Sequence, residues 1–291
     1  MSFVVRAPAS TANLGPGFDC AAAALELWNE VRVDERTNGS WVEIDGEGAG
    51  ELPRDGEHLA LRAFALFAAP EDYRFRFVNR IPLERGLGSS AAAVAAGLVA
   101  GAAAAGRSPD ADEALALGLE LEGHADNLAA ALRGGVCLTW LRDDRPCAAR
   151  LAADLPLAPI VVVPAARTNT SESRAALPAT VTHADAVVTA GHAALLGAAI
   201  AAGDPTLLRD ALADDRLHEP YRASAAPLLD ELRRALPDGA AGVTLSGSGP
   251  SVVVWAEKEH AAAVATALRR QLSNDTSVLP LGIAKEGAEA R

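Results

Sequence analysis

The run Pro82-Leu83-Glu84-Arg85-Gly86-Leu87-Gly88-Ser89-Ser90-Ala91-Ala92 governs the reading of the whole chain. Gly86 and Gly88 permit backbone conformations closed to other residues and let another group approach the main chain closely. Ser89 and Ser90 are favoured N-cap types, and Ala91 to Ala96 has high helix propensity. The spacing predicts a glycine-rich turn feeding directly into a helix. The unpaired N–H groups and dipole of that first turn attract phosphate. A Gly-x-Gly before a helix also serves as an ordinary turn and cap, so the phosphate reading leans on three further segments. These are PASTANLGPGFD from Pro8 to Asp19, EGHADN from Glu122 to Asn127, and LSGSGPS from Leu245 to Ser251.

At 291 residues the chain can build one large domain or two smaller ones that share a cleft. Half of it is hydrophobic and 22% is charged, as in an ordinary soluble enzyme. A net charge of −12 argues against nucleic acid as the main partner. Cys20, Cys137 and Cys147 are odd in number and lack metal-type spacing, which points to reduced thiols and a cytoplasmic location. The N-terminus has no signal-peptide layout. The Ala-rich run 91–105 is too short and weakly apolar for a membrane span, so a buried helix is expected and no membrane partner. The only lysines are Lys258 and Lys285. A Walker-type loop needs a lysine within it and a protein kinase needs one on an early strand. Any nucleotide is therefore held by amides, hydroxyls, a metal ion and arginines.

Alternation predicts strands over 3–7, 31–33, 41–44 and 73–78, with Asn38-Gly39 and Asp45-Gly46 as turns. Helices are expected at 58–67, 90–105, 110–121 and 126–132, then a strand at 134–140. Charged and Pro-containing residues over 142–157 suggest a boundary, giving domains 1–150 and 151–291. The second half alternates. Strands are expected at 160–163, 242–245, 252–255 and 278–283, and helices at 183–202, 205–213, 224–235 and 257–272, an α+β pattern.

Taken in order, the four segments resemble the GHMP kinase superfamily, and within it the homoserine kinase branch. The Pro-x-x-x-Gly-Leu-Gly-Ser-Ser-Ala-Ala pattern is matched from Pro82 to Ala92, Pro-x-x-x-x-Asn-Leu-Gly-x-Gly-Phe-Asp from Pro8 to Asp19, and Ser-Gly-Ser-Gly-Pro-Ser from Ser246 to Ser251. The matches run the length of the chain. One departure is Leu128-Ala129-Ala130, where the family often has a proline further on. The resemblance implies an α+β, two-domain fold: an N-terminal domain like ribosomal protein S5 domain 2, a ferredoxin-like C-terminal domain, and a site in the cleft. It implies transfer of phosphate from MgATP to L-homoserine in threonine biosynthesis, by a homodimer.

On this resemblance Pro82 and the run Arg85 to Ala92 hold the nucleotide, and Ser90 (or Ser89) with a carboxylate meets Mg²⁺. Glu120 is favoured over Glu122 for that carboxylate. Asp126, which by sequence alone fits an N-cap equally well, becomes the ligand of the substrate ammonium with Asp19 converging on it, and His124 is a further substrate-binding residue. Asn13 and Asn127 orient the hydroxyl, and no carboxylate base is expected. Arg174, in Thr170 to Arg174, and Arg222 grip the carboxylate in a way lysine could not. The turn containing Gly247 supports both ligands. A kinase for mevalonate or a sugar would give no reason for acids and arginines to converge, and a non-catalytic sensor would tend to lose the loop serine, the glycines or the metal carboxylate, all of which this chain retains.

Overall fold

The protein is described by a computed structural model over residues 2–36 and 41–291, with Thr170 described by its backbone only. The expected Asn38-Gly39 turn lies outside the described residues. In chain order the first half comprises β1 (Ser2–Ala12), β2 (Ala21–Glu35), β3 (Val42–Gly46), α1 (Leu59–Phe64), β4 (Tyr73–Asn79), α2 (Ser89–Ala104), α3 (Ala111–Glu122), α4 (Ala125–Arg133), β5 (Val136–Arg142) and β6 (Arg145–Ala152). The second half comprises β7 (Leu157–Val163), α5 (Thr170–Ala175), α6 (His183–Ala202), α7 (Pro205–Ala211), α8 (Glu219–Arg222), α9 (Pro227–Arg234), β8 (Ala240–Leu245), β9 (Val252–Glu257), α10 (Ala261–Gln271), β10 (Ser277–Pro280) and β11 (Glu289–Ala290).

The first sheet runs β11-β1-β2-β4-β3, with β5 and β6 continuing from the far end of β2. Only the β3–β4 pair is parallel. The second sheet has the order β10-β7-β9-β8 and is antiparallel throughout. That is the strand–helix–strand–strand–helix–strand path of the ferredoxin-like fold expected for this half.

The run Ile160 to Val163 is apolar at every position because both faces of the second sheet are covered. Ile160, Val162, Val252 and Val254 face α9 and α10, while Val161, Val163, Val253 and Trp255 join the larger core shared with the first sheet. α6 has the length and apolarity of a membrane span. Its Leu196, Ala199 and Ile200 nevertheless belong to the larger core.

Three expectations change. β1 reaches Ala12, so half of the Pro8–Asp19 segment is strand; Pro8 sits at a register shift, where a missing N–H is tolerated. The charged stretch after Arg142 begins as an edge strand, since β6 pairs with β5 as far as Ala152, and the chain passes from the first sheet to the second only between Ala152 and Leu157. An edge strand with one wet face has the polar composition of a linker. The last residues also return to the first sheet, with Val5 opposite Ala290 and Arg6 opposite Glu289.

α2 is the centre of the N-terminal half. Its small residues let α1 lie almost backbone to backbone against it: a Cβ on Gly97 would stand 2.1 Å from the Ala60 carbonyl oxygen, and one on Gly101 2.5 Å from that of Phe64. Gly97→Val should therefore push α1 off α2, with an overpacking cost of roughly 2–3 kcal/mol and a Tm lower by about 5–10 °C. A thermal melt showing an unchanged Tm would contradict this packing.

Candidate active site

The glycine-rich loop links β4 to α2. Gly86 and Gly88 have φ of +73° and +64°, and Gly88 itself is the N-cap of α2, without any side-chain cap. This corrects the expectation that Ser89 or Ser90 caps the helix: both lie in its first turn. The consequence is chemical. Among the described residues, no amide from Gly86 to Ser90 meets an acceptor within the protein, so five donors remain at the positive end of a 16-residue helix.

The loop is held from three sides. The Ser10 amide donates to the Leu87 carbonyl (3.1 Å). The Ser246 hydroxyl donates to the Gly86 carbonyl (2.7 Å) and lies 3.0 Å from the Thr11 hydroxyl. Arg85 donates to the carbonyls of Pro164 (3.0 Å) and Ala165 (2.9 Å). Its guanidinium thus ties the loop to the C-terminal half, where sequence had assigned it to the nucleotide. Ala91 is fully buried and lies outside the cavity wall.

A cavity of about 710 Å³ opens against these amides. It is lined by the sequence-selected Asn13, Asp19, His124, Asp126, Asn127, Arg174, Arg222 and Gly247, along with Pro82 and the loop. Thr170 begins α5, and its side chain lies outside the described residues. Asn169, which caps α5, and Arg167 also line the cavity. No motif in the sequence singles them out.

Glu120 is not at the site. It is exposed and absent from the cavity wall, whereas Glu122 accepts a hydrogen bond from the Ser90 hydroxyl at 3.0 Å with its side chain 5% exposed. Two residues along a helix is a rotation of about 200°, so only one of the pair can face α2. Glu122 also lies 3.4 Å from His124 Nδ1 and holds that imidazole's pKa above its usual value.

Asn13 is buried with both ends of its amide in use. Nδ2 donates to the Gly247 carbonyl (2.8 Å), and Oδ1 accepts from the Asp19 amide (3.1 Å). It braces the N-terminal turn against the C-terminal glycine turn while lining the cavity, and Nδ2 carries a second hydrogen beyond the one given to Gly247. Asn127 accepts from the Ser10 hydroxyl at 2.8 Å, leaving its Nδ2 only a 3.5 Å contact with Asp126.

Asp126 is 3% exposed. It is not the N-cap of α4, a position occupied by His124. Burial pushes its carboxyl up to about 6, offset in part by the Asn127 amide, which donates to it at 2.8 Å. Arg222 is 4% exposed and has no carboxylate partner among the described residues. Its guanidinium donates to His218 Nδ1 (3.3 Å) and reaches the Gly247 carbonyl (3.4 Å). His218 Nε2 in turn meets the Gly15 carbonyl at 3.0 Å, so that nitrogen carries the proton and Nδ1 accepts. Phe18 stacks on His218 (centroids 5.0 Å apart) and lies beneath both Arg222 and Arg174. Arg174 is bonded to both oxygens of Asp19, at 2.8 and 2.9 Å. These two were expected to hold opposite ends of a ligand, and here they hold each other.

Models of known families match two stretches: "GHMP kinases N terminal domain" at residues 58–135 and "GHMP kinases C terminal" at 196–274. A homoserine kinase of Streptomyces coelicolor is 40% identical over 98% of this chain and 93% of its own length. One from Moorella thermoacetica is 40% identical over 87% and 86%. Among solved structures, homoserine kinase from Cytophaga hutchinsonii superposes with a TM-score of 0.88 at 26% identity, covering 100% of this chain and 97% of that one. A mevalonate kinase with a TM-score of 0.70 at 14% identity, covering 97% and 99%, shares the fold alone.

The Asp126 carboxyl keeps its proton to a higher pH in the fold than in the unfolded chain, so ionising it costs stability from about pH 4 upward and fully above pH 6. The gap between 3.8 and about 6 corresponds to roughly 3 kcal/mol. Asp126→Asn is expected to be more stable than the parent at pH 7.5 in denaturant titrations, by an amount that shrinks toward pH 4. An Asn variant that is less stable at pH 7.5 would contradict the assignment.

Proposed function

Because the chain belongs to the GHMP kinase family, and within it to the homoserine kinases, we propose that it transfers the γ-phosphoryl group of ATP to the hydroxyl of L-homoserine, giving O-phospho-L-homoserine. The observation that carries this reading is the pairing of a buried acid, Asp126, with a buried arginine, Arg222, in the cavity that the open loop amides also line. A zwitterion with a side-chain hydroxyl satisfies both charges at once. Mevalonate and sugars lack an ammonium group and would leave Asp126 buried without a partner.

The amides of Gly86 to Ser90 receive the β- and γ-phosphates, a role that needs no lysine. The Ser90 hydroxyl and the Glu122 carboxylate offer two hard oxygens beside them, which fits Mg²⁺, an ion that takes few protein ligands and keeps its waters. No group of three His, Cys, Asp or Glu suited to another kind of metal site exists among the described residues. Bound between these two oxygens, the ion would supply charge neutralisation to the phosphates.

The ammonium group is taken by Asp126, with Asp19 beside it, and the carboxylate by Arg222. Entry of the zwitterion gives Asp19 and Arg174 new partners, so the 2.8 Å bond between them marks the two poles of the site before substrate arrives. Asn127, fixed through its oxygen by Ser10, turns its Nδ2 toward the hydroxyl. Asp126 is spent on the ammonium, leaving no carboxylate free as a base. The hydroxyl proton leaves to phosphate or water, and catalysis is a matter of position and charge.

ADP release from MgATP should be stimulated by L-homoserine and by neither mevalonate nor the acceptor-free blank, with L-serine and L-threonine far weaker. Stimulation by mevalonate alone would overturn the substrate assignment. Glu122→Gln should lower kcat by about 100-fold, while Glu120→Gln stays within about twofold; a reversal would return the metal to Glu120. Since Asp126 is neutral below about pH 6, kcat/KM for L-homoserine should fall about tenfold per pH unit below that value. A flat profile down to pH 5 would remove Asp126 from the ammonium site.

A further inference from the structure

Four arginines line the cavity among the described residues, and three of them are committed. Arg85 is bound to the carbonyls of Pro164 and Ala165, and Arg174 to Asp19. Arg222, held by His218, is left for the substrate carboxylate. The fourth, Arg167, has no part in the phosphoryl transfer described above.

The position of Arg167 is set by the segment from Pro164 to Asn169, which joins β7 to α5. That segment lies along the entrance to the glycine-rich loop. The Thr168 amide donates to the Glu84 carbonyl at 2.9 Å, and Arg85 grips the carbonyls of Pro164 and Ala165. From there the Arg167 side chain crosses to the loop after β3. Its Nη1 and Nη2 donate to the two oxygens of Glu51 at 2.8 and 2.9 Å, and Nη1 lies 3.7 Å from the Glu84 carboxylate. All three side chains line the cavity.

This pair is well formed and weakly held. Hydrogen bonds from Arg167 keep the Glu51 carboxyl below the usual carboxylate range, so both partners are charged at pH 7. Both side chains are nonetheless nearly half exposed, at 40% and 47%. Water and salt screen such a pair, and separating it costs little. Two carboxylates at the mouth also oppose an anion, in a chain already at −12. A guanidinium fork matches phosphate as well as it matches carboxylate, and a triphosphate carries a denser charge than one glutamate. Neither lysine of the chain lines the cavity to supply that charge instead.

We infer that Arg167 is a triphosphate ligand held in reserve by Glu51: as the nucleotide settles on the amides of Gly86 to Ser90, the guanidinium leaves the carboxylate for the phosphate oxygens. This inference rests on the reading of the loop as an ATP site, and it adds the side-chain cation that the loop itself lacks.

Calorimetric titration of the whole protein with MgATP tests it without any turnover. Arg167→Met keeps the stem and removes the charge, and its Kd for MgATP should rise about tenfold, the usual contribution of one charge-assisted hydrogen bond. Glu51→Gln releases the arginine and should bind MgATP about threefold more tightly than the parent. Effects of opposite sign are the mark of a group handed from a carboxylate to a phosphate. If the bond between Arg167 and Glu51 only closes the mouth of the cavity, both variants weaken binding alike, and that result would overturn the assignment. An Arg167→Met protein that melts like the parent and binds MgATP equally well would overturn it too; in either case the ATP site stands. No binding of MgATP to the parent would overturn the nucleotide reading of the loop and this inference with it.

Discussion

The interaction on which the rest of the structure depends is the clasp between the two glycine turns. The Gly86 carbonyl accepts from Ser246, and a Cβ on Gly86 would stand 2.1 Å from the Ser246 carbonyl oxygen. One turn comes from the N-terminal half and the other joins β8 to β9, so their contact brings the two sheets to a common edge. Asn13 reinforces it from the side through the Gly247 carbonyl. Because the loop's carbonyls and flanks are spent on this clasp, its amides are left facing the cavity. A phosphate site made of bare N–H groups requires that something else hold the backbone in place.

The same economy explains how a chain with a charge of −12 accommodates an anionic substrate. No lysine is near the site, and the long-range field is unfavourable. The compensating charges are local and buried. Arg222 is kept in place by His218 and by carbonyls instead of a carboxylate, so its charge remains available. Asp126 sits at the opposite sign and in the same low-dielectric surroundings, where a partner counts for more than in water. Two buried charges without an ion-pair partner among the described residues cost stability, and under the proposed function a zwitterion would supply a partner to each.

The sequence-derived roles and the observed contacts diverge most at Asn13, Arg85 and Glu120. Each was assigned from position in a motif, and a motif specifies which residues gather in a region without specifying which of them face the ligand. Asn13 and Arg85 line the cavity and at the same time donate to carbonyls across the interface. Glu120 and Glu122 differ by two positions on one helix, and only the packing of α3 against α2 decides which is turned inward.

By itself the sequence determined the chemistry of the segments and most of the elements. α6 begins and ends where its apolar run does, α2 follows from the alanines after Ser90, and β7 from four apolar residues in a row. Local propensity and hydrophobic patterning suffice for these because each is satisfied within a few residues. The tertiary structure alone decided what depends on distant partners. β6 reads as a linker until β5 lies beside it, and β11 is too short to be seen without β1. Asp126 could be a cap or a ligand until burial by its neighbours makes its charge costly. His58 is an unremarked histidine before a short helix until Phe77 stacks on it and burial holds its ring neutral. Desolvation and orientation are properties of an environment, and the environment of a side chain is assembled from residues far away in the chain.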